Sequence, residues 1–594
     1  MSTYEDRLKA LRDQLARDRL TGFVVPLTDE HMSEYVGAYA QRLAWLTGFQ
    51  GSAGSAVVLP EEAAIFTDGR YTLQVREQVD GNHWQFMGIP QTSVAAWLGE
   101  HAPEGGRIGY DPWLHTRKWV EDATAALRAR GAELVAVDTN PVDAIWPDRP
   151  TPGKAKVEPH DEAFAGQSSA EKRARIADWL KERRADAAVL SALDSIAWAF
   201  NIRGRDVERT PVALAFAIVH GDGTAELFVD PAKVDGELQG ALGNAVSIRD
   251  REAFGDALDA LAGKTVAVDP GRAVAAIFNR LDEAGATILP VRDPTVLPKA
   301  IKNSVEIAGH KAAQSRDGAA LSRFLHWLSV EGPKGGQTEM SAADQLHAFR
   351  QKDDRLVDLS FDTIAGSGPN GAVVHYRAEE KTNRLVESNT LLLVDSGGQY
   401  RDGTTDVTRT VAIGTPTEEM RRNFTLVLKG HIALATAIFP RGTKGGQLDV
   451  LARQYLWAHG LDYAHGTGHG VGSFLSVHEG PQRIATSTDG DEPLQPGMIV
   501  SNEPGYYKTG EYGIRIENLI LVESRAIAGA EREMLGFETL TLAPIDRALI
   551  ELDLLSDSER AWMDAYHARV LAVIGPQLEG EAREWIEAAC MPLG

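Results

Sequence analysis

Residues 465 to 478 hold three histidines, in His465-Gly-Thr-Gly-His-Gly-Val-Gly472 and Ser473-Phe-Leu-Ser-Val-His478, interleaved with glycines at 466, 468, 470 and 472. Glycine lets a backbone pass close to a ligand in conformations other residues resist, and imidazole is both the commonest metal ligand and a proton carrier near neutral pH. The stretch reads as the floor of a reaction site. Alone, the octapeptide would also fit a glycine-rich turn with incidental histidines, so the chemistry on either side decides.

Upstream, Leu391-Leu-Leu-Val-Asp395-Ser-Gly and Gly403-Thr-Thr-Asp406-Val-Thr-Arg-Thr-Val-Ala-Ile413 read as two strands joined by a glycine-containing turn. Downstream, Met498-Ile-Val-Ser-Asn-Glu503-Pro-Gly-Tyr-Tyr507 and Tyr512-Gly-Ile-Arg-Ile-Glu517-Asn-Leu-Ile-Leu-Val522 read as a second hairpin, so each strand carries one acid. Asp395 ends an apolar run and Glu517 lies among Ile514, Ile516 and Leu519, so both are expected to be buried. A buried carboxylate is costly unless a cation compensates it. Asp395, Asp406, His469, Glu503 and Glu517 therefore read as ligands for a pair of divalent cations. Hard oxygen donors with one imidazole suit manganese first, with zinc or cobalt as alternatives. Arg515, two residues before Glu517, falls on the same strand face and is placed to orient a ligand carboxylate from behind; the alternative is a solvent-exposed strand arginine.

With Val374-His375-Tyr376, Val394-Asp395-Ser-Gly, Thr405-Asp406-Val-Thr-Arg409, Asn502-Glu503-Pro-Gly and Ile514-Arg515-Ile516-Glu517-Asn518 in this order around the histidine octapeptide, the chain resembles the pita-bread metallopeptidases. Within them it is most similar to the long, three-domain Xaa-Pro aminopeptidases (aminopeptidase P), from about residue 5 to the end. The resemblance implies removal of the amino-terminal residue from peptides with proline second. It implies one ion on Asp395, Asp406 and Glu517 and the other on Asp406, His469, Glu503 and Glu517, with Asp406 and Glu517 bridging. It makes Glu503 the proton carrier and gives His375, His465 and His478 the peptide carbonyl, the tetrahedral intermediate and the proline pocket. It also implies a homodimer.

The elements that must position these residues come in a repeated order. Leu8, Leu11 and Leu15 predict an amphipathic helix over 5–19, followed by a strand at Gly22-Phe-Val-Val-Pro26, two apolar runs at 55–60 and 63–68, and a helix from Tyr71. Ser168-Ser-Ala-Glu171 is a capping-box pattern; Ala187-Ala-Val-Leu190, Leu214-Ala-Phe-Ala-Ile-Val219 and Glu226-Leu-Phe-Val-Asp230 then repeat the first series. Four prolines between Trp146 and Pro159 mark a linker. The fold class is α/β (α+β): two duplicated creatinase-like amino-terminal domains, 1–155 and 160–298, a pita-bread catalytic domain, 302–528, and a carboxy-terminal extension, 529–594. In the catalytic part, Phe361-Asp-Thr-Ile-Ala365 and Ala372-Val-Val-His-Tyr376 read as strands, and helices are expected from Ser304 to about 329, over 417–438 and over 445–459. The extension carries no site-like residues and is expected to pack on the catalytic domain or at a dimer contact.

Phe66-Thr-Asp-Gly-Arg70-Tyr is, by itself, a strand end with an Asp-Gly turn. It resembles the amino-domain motif in which an arginine approaches a neighbouring subunit's active site, which makes Arg70 a substrate-binding candidate.

The 594 residues exceed what one hydrophobic core serves. A formal charge of −23 argues against nucleic acid and anionic membrane as partners. Cys590 is the only cysteine, which rules out intramolecular disulfides and thiolate clusters. The charged amino terminus and the lack of any long uncharged apolar run predict a cytoplasmic protein. Other readings stay open at this point: a prolidase acting on Xaa-Pro dipeptides, a metal-free creatinase-like amidinohydrolase, or a non-hydrolytic peptide-binding protein on the same fold. The complete ligand set speaks against the last two.

Overall fold

In the computed structural model, which describes residues 3–487 and 492–593, Leu8, Leu11 and Leu15 form the buried face of helix Tyr4–Arg17, started by a capping box between Thr3 and Asp6. The chain divides into two units, Met1–Glu162 with Gln167–Val296, and Ala163–Gly166 with Leu297–Gly594.

The first unit is built from two copies of one design. Across one sheet the strands run Gln85–Gly88, Ala63–Thr67, Ser55–Val58, Gly22–Pro26, Arg107–Tyr110, Glu133–Ala136; across the other, Val246–Arg249, Ala225–Phe228, Phe216–His220, Ala187–Leu190, Thr265–Val268, Thr287–Pro290. Each sheet opens with a parallel pair, continues with two antiparallel pairs and closes with two parallel pairs. The duplication read from the sequence therefore extends to strand order and direction. Near-continuous apolar strands such as Ala187-Ala-Val-Leu190 are buried along their whole length, as strands covered on both faces must be. Beyond Asp68 the chain makes a 3-10 turn, Gly69–Tyr71, and the helix starts only at Gln74, because Asp68 caps the turn by accepting from the Arg70 amide.

In the second unit, helix Ser304–Glu331 starts at a capping box between Asn303 and Glu306, and helices Glu418–Ala435 and Asp449–Trp457 lie in the expected stretches. Both acid-bearing hairpins run through two sheets. Strands Thr390–Ser396 and Val407–Ile413 pair over their full length, and beyond a break at Gly397 and Thr405–Asp406 the hairpin continues as Gly398–Tyr400 with Gly403–Thr404. Strand Ile499–Asn502 pairs with residues 518–521 of Asn518–Arg525, and the second hairpin breaks at Glu503–Pro504 and Ile516–Glu517 and continues as Gly505–Lys508 with Tyr512–Arg515. The extension contributes strand Met534–Thr539 to the sheet of the second hairpin and packs helix Asp557–Ile574 on the catalytic core through Met563, Tyr566, Val570 and Ile574. No helix among the described residues is long and apolar enough to cross a membrane.

Candidate metal centre

The breaks explain why the acids converge. Of the four, Asp395 alone sits within a ladder, opposite Thr408; Asp406, Glu503 and Glu517 occupy the gaps where the hairpins change sheet, which corrects the expectation of one acid on each strand. Pro504 has no amide to donate to a ladder, and the neighbouring amides turn elsewhere: Glu503 N donates to Thr467 O of the histidine loop at 2.8 Å and Glu517 N to Thr408 O of the first hairpin at 3.2 Å. Three chain segments are thereby tied together at the acids.

Two glycines of the octapeptide are required by close approach. A Cβ on Gly468 would lie 2.0 Å from Ser501 O, and one on Gly470 would lie 2.2 Å from Glu479 O. Strand Gly468–Gly470 can therefore lie against Ile499–Asn502 and Glu479–Ile484, and His469 is delivered to the acids. Its Nε2 lies 3.4 Å from Asp406 Oδ2 and 3.5 Å from Glu503 Oε1. Ligand atoms of Asp406, His469 and Glu517 all fall within 4.8 Å of one another.

Each of these groups is held from behind. Nδ1 of His469 lies 2.9 Å from Gly470 O; donating there fixes the ring with Nε2 turned to the acids. Ser501 Oγ accepts from His469 N at 2.9 Å and donates to Glu503 Oε1 at 3.0 Å. Thr408 Oγ1 donates to Glu517 Oε2 at 2.8 Å and accepts from Arg515 Nε at 3.2 Å. Arg515 Nη2 donates to Asp395 Oδ2 at 2.6 Å, and its Nη1 donates to Tyr507 Oη, also at 2.6 Å. Arg515 is fully buried, so the solvent-exposed alternative is excluded. Ser501, Thr408 and Tyr507 were not singled out from the sequence, although Ser501 and Thr408 each lie two residues from an acid, the spacing that puts strand side chains on one face.

The electrostatics are those of a site short of positive charge. Burial pushes the Asp395 carboxyl up to about 6 despite Arg515. Burial, together with the charges of Asp406, Glu503 and Asp395, pushes Glu517 well above the carboxylate range. Burial pushes His469 down, but its hydrogen bond to Asp406 and the nearby carboxylates outweigh this and hold it up to about 9. Asp395 Oδ1 is buried with no hydrogen-bond partner. An oxygen-rich donor set with an unspent buried carboxylate oxygen and one imidazole fits divalent cations.

The remaining candidates lie in four settings. The His478 ring lies 4.3 Å from that of His469, edge to face. His465 Nε2 lies 2.8 Å from Tyr507 Oη, which joins it to Arg515 and Asp395. His375 is half-buried on a turn following the 3-10 helix Gly368–Ala372, not on the expected strand. The chain bends there because Gly368 takes a φ of +53° and the backbone of Gly371 packs against Gly513. Glu339, which sequence reading passed over, fixes this segment by accepting from Ser367 N, Asn370 Nδ2, Tyr376 Oη and Arg384 N. Arg70 belongs to the first unit, where its Nη2 donates to Asp68 Oδ2 at 2.8 Å and its Nη1 to Glu34 Oε1 at 3.4 Å.

Known proteins share this architecture. The chain matches Metallopeptidase family M24 over residues 308–524, the Creatinase/Prolidase N-terminal domain twice, over 7–145 and 148–306, and the C-terminal region of peptidase M24 over 533–593. It is 42% identical to a probable Xaa-Pro aminopeptidase P of Aspergillus flavus, over 99% of this chain and 92% of that one. It is 41% identical to the corresponding protein of Laccaria bicolor, over 99% and 93%. An X-prolyl aminopeptidase from Caenorhabditis elegans, described as a cytosolic enzyme with a di-nuclear active site, superimposes with a TM-score of 0.95 at 35% identity, over 100% of both chains. On fold, domain content and full-length similarity, the chain belongs to the Xaa-Pro aminopeptidase P group of the M24 metallopeptidases.

Proposed function

We propose that this protein is a metal-dependent aminopeptidase that releases the amino-terminal residue from peptides with proline in second position. The observation that carries the reading is the convergence of Asp406, His469 and Glu517 with an unspent buried oxygen on Asp395. Asp395, Asp406 and Glu517 would hold one divalent ion, and Asp406, His469, Glu503 and Glu517 the other. Manganese is the first candidate, with zinc or cobalt behind it. Bound there, the ions would make hydroxide available near neutral pH and polarise the scissile carbonyl.

The chain's own residues carry the proton. One oxygen of Glu503 is occupied by Ser501, and the side chain retains 17% exposure, so its other oxygen is free to take a proton from water and pass it to the departing proline nitrogen. His375, His465 and His478 would donate to the peptide carbonyl and the tetrahedral oxygen and flank the proline ring. Tyr507 and Arg515 position His465 and Asp395.

The same reading takes the domains as 1–155, 160–298, 302–528 and 529–594, the particle as a homodimer and the compartment as the cytoplasm. Arg70 would act on a neighbouring copy's site. The acidic balance supports a reading without nucleic acid or membrane partners.

Hydrolysis of Arg-Pro-Pro by chelator-stripped protein, with and without added Mn²⁺, tests the activity. Metal-dependent release of free arginine is expected; cleavage of Xaa-Pro dipeptides with Arg-Pro-Pro left intact would transfer the assignment to prolidase. Light scattering at the mass of one chain would remove the dimer.

A further inference from the structure

We infer that Arg409, anchored by Tyr566, is a positioning residue that sets the separation of the two acid-bearing hairpins, which makes the carboxy-terminal region a working part of the metal centre. This rests on the metal-centre reading above. Arg409 is 1% exposed, and every acceptor around it is neutral. Its Nε donates to Pro544 O at 3.0 Å, and its Nη1 to Thr408 O and Glu517 O at 2.9 and 2.7 Å. Its Nη2 reaches Asn518 Oδ1, Ala543 O and Tyr566 Oη at 2.8, 2.9 and 2.9 Å. One planar fork thus grips a backbone carbonyl of each hairpin, Thr408 two residues from Asp406 and Glu517 at the acid itself, while Pro544, Ala543 and Tyr566 hold the fork from the extension.

A second clamp meets it from helix Glu418–Ala435. Asn502 and Asn518 face each other in register, one preceding Glu503 and the other following Glu517. His431, fully buried, lies with Nδ1 at 3.1 Å from Asn502 O and with Nε2 at 3.1 Å from Asn518 Nδ2, and its own carbonyl accepts from Asn502 Nδ2 at 2.9 Å. Asn518 therefore joins the two clamps.

A buried guanidinium with no carboxylate partner is a poor way to stabilise a core, where apolar packing does as well or better. Its fixed fork geometry is what a lysine or an apolar side chain cannot reproduce.

The test is a titration of full-length, chelator-stripped protein with Co²⁺, followed by visible absorption and by metal content after desalting, for wild type, Tyr566→Phe and Arg409→Lys. For Tyr566→Phe we expect a loss of affinity of about tenfold or more, as for other groups supporting metal ligands, an altered cobalt spectrum, and a fall in the melting temperature of the metal-free protein, from the lost hydroxyl contacts to Arg409 and Ala543, too small to account for the loss of affinity. Arg409→Lys keeps the charge but not the fork and should rescue neither property; if it does not fold, Tyr566→Phe carries the test. Variants that bind two Co²⁺ with wild-type affinity and spectrum, or that weaken only as far as their melting temperature falls, overturn the inference. Wild type that takes up no Co²⁺ would instead remove the metal-centre reading itself.

Discussion

Arg515 spends one oxygen of Asp395, at 2.6 Å, and leaves the other buried without a partner. The arginine anchors the carboxylate through one oxygen and leaves the other unspent. Replacing Arg515 by methionine should therefore weaken metal binding by about 10- to 100-fold, measured by competition with a chelator of known affinity. Lysine should restore little of it, because one ammonium cannot span Asp395, Thr408 and Tyr507 as the guanidinium does.

Glu503→Gln keeps the shape of the side chain and removes its basicity. A fall in kcat for Arg-Pro-Pro of about 10²- to 10⁴-fold is expected. Ser501→Ala, which removes the hydroxyl that holds Glu503 Oε1 and the His469 amide but leaves the Glu503 carboxylate in place, should cost less. A Glu503→Gln enzyme working at the wild-type rate would sink the assigned mechanism.

Glu479, next to His478, is fully buried between two lysines, with Lys299 Nζ at 2.7 Å from one oxygen and Lys302 Nζ at 2.6 Å from the other. Glu479→Gln would remove the negative charge that both buried ammonium groups face, a loss of about 3–5 kcal/mol. Lys302→Met leaves the pair of Lys299 and Glu479 intact and should cost less. Thermal denaturation of the two variants side by side decides this, and a milder effect for Glu479→Gln would refute it.

Acid should destabilise the fold through buried neutral histidines. Burial pushes His567 down to about 4, with Arg409 and Arg547 adding to the effect, whereas in the unfolded chain it titrates near 6.5. Between these values the unfolded state binds the extra proton. His567 therefore costs nothing above about pH 6.5 and removes about 1.4 kcal/mol per pH unit below it, until the folded form also protonates near 4. Its Nε2 accepts from Ile545 N at 3.1 Å. His567→Gln, whose amide oxygen offers a similar acceptor, should flatten the fall in denaturation midpoint between pH 6.5 and 4.5. An unchanged slope would show that His567 stays charged when buried.

What the sequence determined by itself was the set of groups and the local elements that carry them. The leucines of helix Tyr4–Arg17 announce its buried face, the stretch opening at Ser304 its long counterpart in the second unit, and apolar flanks mark Asp395 and Glu517 as buried acids. The duplicated sheets were legible because each copy repeats the same apolar runs and turns. Periodicity reports which face of an element is buried, but not where a ladder is interrupted. The breaks at Glu503 and Glu517 arise because the amides of these acids find partners in a different segment, Thr467 O on the histidine loop and Thr408 O on the first hairpin, which lie far away in sequence. His375 left its expected strand for the same reason, the close passage of Gly371 against Gly513. The lone helical His431, the strand residue Arg409 and Tyr566 near the end of the chain carry no local pattern that connects them. Only the tertiary structure brings them under the same two acids, because a buried polar group must find its partners wherever in the chain they lie.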